Sequence, residues 1–184
     1  MPNVPTPAAL CIDPLGPYPA ILPLDRCWDR SRDVRTFTGP GPVIAHPPCG
    51  PWGKYRHRCI HQDPALGPLC VELVRRFSGI IENPANSRLF RHCHIPTPGQ
   101  LDHSGSDGFT IELSPTSFGG RLPKPTWLYI VGFNQEVMIP PPAQPTRRVE
   151  QVSHQERRRT PLLMAKWLVS LASRCHSGPT SDGP

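Results

Sequence analysis

A cysteine that follows two prolines at the end of a short apolar run is placed for covalent chemistry. In Val43-Ile-Ala-His-Pro-Pro-Cys49-Gly-Pro-Trp52-Gly53, Val43 to Ala45 read as a buried strand. Pro47 and Pro48 have no N–H to give a sheet ladder, so the strand must stop there. Ile80-Ile-Glu82-Asn83-Pro84 repeats the device: apolar strand, polar residues at its tip, then proline. In an open α/β sheet, ligands gather outside the carboxyl ends of the strands. Cys49 and Glu82 are therefore candidates for one pocket, where a thiolate adds to an electron-poor ring while a carboxylic acid neutralises charge on a ring nitrogen. Asn83 would orient the loop. Arg121 or Lys124 would favour the thiolate or hold a phosphate. Without such partners Cys49 would be an ordinary small buried cysteine after a rigid turn.

The elements around these residues must bring the two tips together. Leu69, Leu73, Val74 and Phe77 fall at helical spacing, which predicts an amphipathic helix over Ala65 to Phe77. A strand–helix–strand unit of this length makes a right-handed parallel crossover, with both tips at one sheet edge. Ala8 to Asp13 read as a first strand, Leu24 to Asp29 as a second, and Arg30 to Arg35 as one helical turn. Asn86 is placed to cap a short helix running to about His92. Gly108 to Ser114 and Thr126 to Gly132, rich in β-branched and aromatic residues, are the clearest strands, joined by the basic, glycine-rich Phe118 to Lys124. Thr160-Pro161 predicts an N-cap followed by proline at the first helical position, opening a final helix to Ala172.

Composition limits the partners. Hydrophobic residues make up 37% and charged residues 18% of the 184, and 27 are proline, so a modest core wrapped in proline-rich loops is expected. Residues 1–7 and 176–184 read as disordered ends, and 8–175 as a single domain. The formal charge of +6 suits an anionic partner such as nucleic acid or a nucleotide. There is no signal-peptide pattern and no apolar run near the ~20 residues of a membrane helix, so a cytoplasmic protein with no membrane partner and seven reduced cysteines is expected.

The chain resembles the DNA cytosine-5 methyltransferases. His46-Pro-Pro-Cys49 looks like their Pro-Pro-Cys nucleophile loop, and Glu82-Asn83-Pro84 like their Glu-Asn-Val segment, whose glutamate contacts the cytosine ring. Phe118-Gly-Gly-Arg-Leu-Pro-Lys-Pro-Thr-Trp-Leu-Tyr-Ile-Val-Gly132 is similar to their block of Tyr-Gly, Gln-x-Arg-x-Arg, apolar strand and Gly. Thr160-Pro-Leu-Leu-Met-Ala-Lys-Trp-Leu168 is similar to the start of their final helix. The blocks stand in the family's order across residues 43 to 172. The resemblance implies a minimal Rossmann-like, methyltransferase-type open sheet. It implies Cys49, Glu82 and Asn83 as catalytic residues, and Pro47, Pro48, Trp52, Arg121 and Lys124 as substrate-binding ones. S-adenosylmethionine would lie near Asp13, Gly16 and Pro161. The substrate would be cytosine in duplex or single-stranded DNA, or in a nucleotide such as dCMP.

The chain also departs from that pattern. Cys11-Ile-Asp-Pro-Leu-Gly16 stands where the family has Phe-x-Gly-x-Gly. The span to Val43 is too short for two further strand–helix units, and Gly132 to Thr160 leaves no room for a target-recognition domain. Such a trimmed enzyme suits a phage or prophage DNA-modification gene. A second reading is a non-catalytic nucleic-acid-binding or phage-assembly protein that keeps the fold. A third, a zinc site among His46, Cys49, His57, Cys59, His61, Cys70, His92, Cys93 and His94, lacks the paired ligand spacing of structural zinc, so no metal is expected.

Overall fold

Four short apolar segments form the parallel part of a sheet: β1 (Ala8–Leu10), β2 (Cys27–Trp28), β3 (Val43–Ala45) and β4 (Gly79–Pro84). The computed structural model describes residues 6–59, 62–100, 102, 105–147, 151–153, 156 and 159–176. Two longer strands, β5 (Phe109–Leu113) and β6 (Thr126–Val131), complete a six-stranded sheet of order β2-β1-β3-β4-β6-β5. β6 runs antiparallel to both its neighbours, so β5 points the same way as β4. The result is a mixed α/β fold with a mostly parallel sheet.

Strand alternation sends side chains to two faces. Ala8, Leu10, Val43, Ala45, Ile81 and Tyr129 point to one core, against α1 (Leu66–Phe77) and α2 (Arg88–His92). Ala9, Ile44, Ile80, Leu128 and Ile130 point to the other, against α3 (Leu162–Ala172). Strands buried on both faces explain the unbroken apolar runs Val43–Ala45 and Gly79–Ile81. Gly79 is required where β3 and β4 meet: its φ is +125°, and a Cβ there would lie 2.0 Å from the Val43 carbonyl oxygen.

Several boundaries differ from the sequence reading. β1 ends at Leu10, not Asp13, because Cys11 turns left-handed at φ 57°. Leu24–Arg26 form a 3-10 turn, which leaves only Cys27 and Trp28 as strand, and the turn expected at 30–35 lies at Val34–Thr36. Ser87, not Asn86, caps α2, accepting from the Leu89 N–H, while Asn86 takes a left-handed φ of 60°. Pro161, not Thr160, is the N-cap of α3, and no side chain caps that helix. Thr6 O accepts from Arg26 at 2.6 Å and Pro7 is buried. His176 N donates to Gly132 O at 2.8 Å. Residues 1–5 and 177–184 lie outside the described residues. No helix is long and apolar enough to cross a membrane among the described residues.

Candidate functional site

The strand order makes a crevice. From β1 the chain moves outward to β2, and from β3 it moves the opposite way to β4, so the direction reverses between β1 and β3. The carboxyl ends of strands at such a switch point are where open α/β sheets hold ligands. The loops after β1, β3 and β4 supply the groups found here.

Register and alternation fix the central pair. Ala45 is level with Ile81, so the next residues, His46 and Glu82, are side by side. Both follow the alternation onto the face of Ile44 and Ile80. His46 N still bonds the Leu10 carbonyl at 3.0 Å, which extends the ladder far enough to hold it there. His46 Nδ1 lies 3.0 Å from Glu82 Oε2, with side-chain exposures of 12% and 15%. On the other side of the ring, Nε2 lies 2.6 Å from the hydroxyl of Tyr18, a fully enclosed residue of the loop after β1. Tyr18, His46 and Glu82 thus form a chain of hydrogen bonds across three strand tips. Glu82 lies inside β4, opposite Leu128, rather than beyond the strand as the sequence suggested.

Charges follow from these contacts. Burial pushes the Glu82 carboxyl upward, but the hydrogen bond and charge of His46, with the charge of Lys124, outweigh it and hold the group below its usual value. Lys124 is near because β6 runs antiparallel to β4: Thr126 pairs with Pro84, so the residues before β6 lie beside the end of β4. The Tyr18 hydroxyl is raised well above its ordinary range by burial, then by the Glu82 and Cys27 charges, and stays protonated.

Cys49 is half-buried at the head of the 3-10 turn Gly50–Trp52, and its carbonyl accepts from Trp52 N at 3.2 Å. Asn83, 1% exposed, donates from Nδ2 to Pro47 O at 3.2 Å. This bond ties the β4 tip to the Pro-Pro-Cys loop. Its Oδ1 is buried without a hydrogen-bond partner among the described residues. Pro47 is buried and Pro48 half-buried. Trp52 packs backward against α1, where a Cβ on Gly67 would lie 2.6 Å from its Nε1, and its ring is tilted on His92 with centroids 5.0 Å apart.

A cavity of about 680 Å³ lies alongside, with Leu15, Gly16, Gly119, Gly120, Leu122 and Pro161 in its walls. Arg121, Lys124 and Arg159 also line it, and among the described residues Glu156 is the one carboxylate there. Its size suits a small-molecule site. Cys49 and Glu82 are not in its lining; Lys124, whose charge acts on Glu82, connects the two regions. Asp13 is exposed and closes its own turn, accepting from Leu15 N at 3.0 Å and Gly16 N at 2.9 Å. Arg56 and Arg58 stand exposed on the 3-10 turn after Cys49, and Arg147 is exposed; Arg148, Arg157 and Arg158 lie outside the described residues. Among the described residues no three His, Cys, Asp or Glu side chains come together to hold a metal, and His61 lies outside them.

Sequence reasoning missed Tyr18 and the place of His46 between Tyr18 and Glu82. The signal for His46 was present: one residue past a strand end, it inherits the face of Ile44. Tyr18 carried no such signal, since it sits in a proline-rich loop without periodicity.

No family model matches the chain, and neither a curated protein nor a solved structure does.

Proposed function

We propose that this protein is a cytosine C5-modifying enzyme, methyltransferase-like in its chemistry, acting on DNA through Cys49. The observation that supports it best is the pairing of neighbouring strand tips. β3 delivers the Pro-Pro-Cys loop, β4 delivers Glu82, and Asn83 joins the two through Pro47 O. On this reading the sheet, with its direction reversal between β1 and β3, is a minimal Rossmann-like one of the methyltransferase type. The Cys49 sulfur forms a bond to C6 of the ring. The C5–C6 π pair moves to C4–C5, the C4–N3 pair moves to N3, and N3 takes a proton at Glu82. C5 becomes nucleophilic and takes a one-carbon unit from an electrophilic donor, whose leaving group departs with the electron pair of the broken bond; loss of the C5 proton and expulsion of the thiolate restore the ring. Arg121 and Lys124 serve phosphate, and a base in a duplex must leave the stack to reach the site.

S-adenosylmethionine, which the resemblance implies, does not fit the cavity by charge. Among the described residues Arg121, Lys124 and Arg159 outnumber Glu156, a lining suited to a phosphate-bearing ligand rather than to a sulfonium cation. No step is therefore assigned to that cofactor.

The test needs no donor. Addition at C6 makes the C5 hydrogen exchangeable, so release of tritium from [5-³H]cytosine in single-stranded DNA, duplex DNA and dCMP reads the first half of the reaction. Exchange is expected with DNA, at least as fast in single strands as in duplex because an unpaired base costs less to extrude, and Cys49→Ser abolishes it. Exchange with dCMP and no DNA affinity moves the protein to nucleotide chemistry. DNA binding with no exchange from any substrate makes it a non-catalytic binder.

A further inference from the structure

Glu82 meets a conflict in the chemistry just proposed. Ring N3 needs a proton as the sulfur–C6 bond forms, yet a carboxylate has none to give. The hydrogen-bond chain through His46 resolves this.

We propose that His46 is a positioning residue that stores the proton for N3 and passes it through Glu82, with Tyr18 holding the imidazole in either charge state. This rests on the cytosine reading above. The geometry supports it at each atom. Nδ1 is 3.0 Å from Glu82 Oε2 and Nε2 is 2.6 Å from the Tyr18 oxygen. A phenolic hydroxyl both donates and accepts. Tyr18 therefore donates a hydrogen bond to Nε2 when the neutral ring carries its proton on Nδ1, and accepts from Nε2–H in the imidazolium and in the neutral ring left once the Nδ1 proton has passed to Glu82, by rotating only the hydroxyl. A side chain with one fixed polarity would satisfy only one of those states. Tyr18 is 2% exposed and belongs to the core under α3, so the ring cannot swing away as its charge changes. The groups that bear on the pair are Tyr18 from the β1 loop, Glu82 in β4, Lys124 before β6, and Cys27 of β2, which acts on Tyr18.

The proton balance closes. An imidazolium at His46 gives its Nδ1 proton to Glu82 Oε2, leaving a neutral ring and a carboxylic acid. That acid gives the proton to N3 as the sulfur–C6 bond forms. When the thiolate leaves, N3 returns the proton to Glu82 and thence to His46. Partial exposure of the His46 side chain, 12%, lets it equilibrate with water between turnovers. The relay adds to Glu82 rather than replacing it, since on the cytosine reading Glu82, not His46, meets N3.

The test uses the full chain, with folding checked by circular dichroism. The first measurement is the pH profile of C5 tritium release from single-stranded DNA by wild type, His46→Asn, Tyr18→Phe and Cys49→Ser. Asn keeps a donor toward Glu82 but cannot titrate. His46→Asn is expected to lose at least ~10-fold of the rate, within the usual range for a positioned proton-transfer group, and to flatten the profile. Tyr18→Phe is expected to lose ~3-fold, the scale of one neutral hydrogen bond. A His46→Asn protein with wild-type rate and profile, beside an inert Cys49→Ser, overturns the relay and leaves the cytosine reading intact. The second measurement requires no turnover: the ¹³Cδ signal of Glu82 followed against pH. Its midpoint is expected to rise in His46→Asn, because the imidazolium charge is gone. An unmoved midpoint refutes the coupling even if no substrate exchanges, whereas a moved midpoint with no exchange from any substrate leaves the coupled pair standing and removes the cytosine reading.

Discussion

At the tips of β3 and β4 the polar atoms are bonded to one another inside the protein: Tyr18 to His46, His46 to Glu82, Asn83 to Pro47 O. In the cavity beside them, Arg121 and Arg159 are exposed and the walls are glycine, proline and leucine. The first region is arranged before any ligand arrives, as the proposed catalysis by oriented groups would require. The second is receptive, with charge but little internal pairing. Substitutions in the two should therefore have opposite signatures. At the strand tips, chemistry and folding change together. In the cavity, binding changes and folding does not.

The largest effect expected is on chemistry. Glu82→Gln keeps the shape and the contact with His46 but cannot carry the proton, so C5 tritium release should fall by ~10²-fold or more with DNA binding retained. Equal release by the variant at neutral pH would remove Glu82 from the mechanism.

Next is the register that sets His46 beside Glu82. Gly79→Ala combines a φ of +125° with a Cβ 2.0 Å from Val43 O. It should cost about 2–4 kcal/mol in urea unfolding, from backbone strain and overpacking. A cost near zero would mean that β3 and β4 can slide, and that the pairing of the two tips is not fixed.

Asn83→Ala removes the tie to Pro47 O and should destabilise by ~1–3 kcal/mol, the cost of an unpaired buried carbonyl. It should also slow tritium release by letting the Cys49 loop drift. A full loss of stability with an unchanged rate would separate the tie from the chemistry.

In the cavity, Arg121→Gln and Arg159→Gln should each reduce the slope of log affinity for duplex DNA against log salt by ~0.9, one phosphate apiece. Their stability should stay within ~0.5 kcal/mol of wild type, as for other surface changes. Titration calorimetry should likewise find dCMP binding more tightly than S-adenosylmethionine; the reverse order would break the charge argument.

The smallest effect is in acid. Glu82 titrates lower in the folded protein than its usual value of 4.5, so the unfolded chain binds more protons in that window. Its contribution to stability is complete above about pH 4.5 and is lost as pH falls through the folded value. Glu82→Gln should therefore unfold with a shallower acid limb below pH 4.5 than wild type. An identical limb would mean that the His46 contact does not favour the carboxylate.

The sequence by itself determined the pieces that depend on neighbouring residues. Val43–Ala45 had to be a strand that stops, because prolines follow it, and helix 65–77 was readable from apolar spacing to within one residue at its start. The candidate pair Cys49 and Glu82 followed from those two strand ends. Tertiary structure alone decided what acts on them. Lys124 comes near Glu82 because an antiparallel strand, 42 residues later in the chain, begins where β4 ends. Tyr18 reaches His46 because a loop without periodicity is packed under α3. Even the one-residue shift of the cap at Pro161 and the early end of β1 at Cys11 are local conformations that packing selected. Periodicity reports which face a residue takes within its own element; it carries no information about which distant loop is brought against that face, because that is settled by burial of the whole sheet at once.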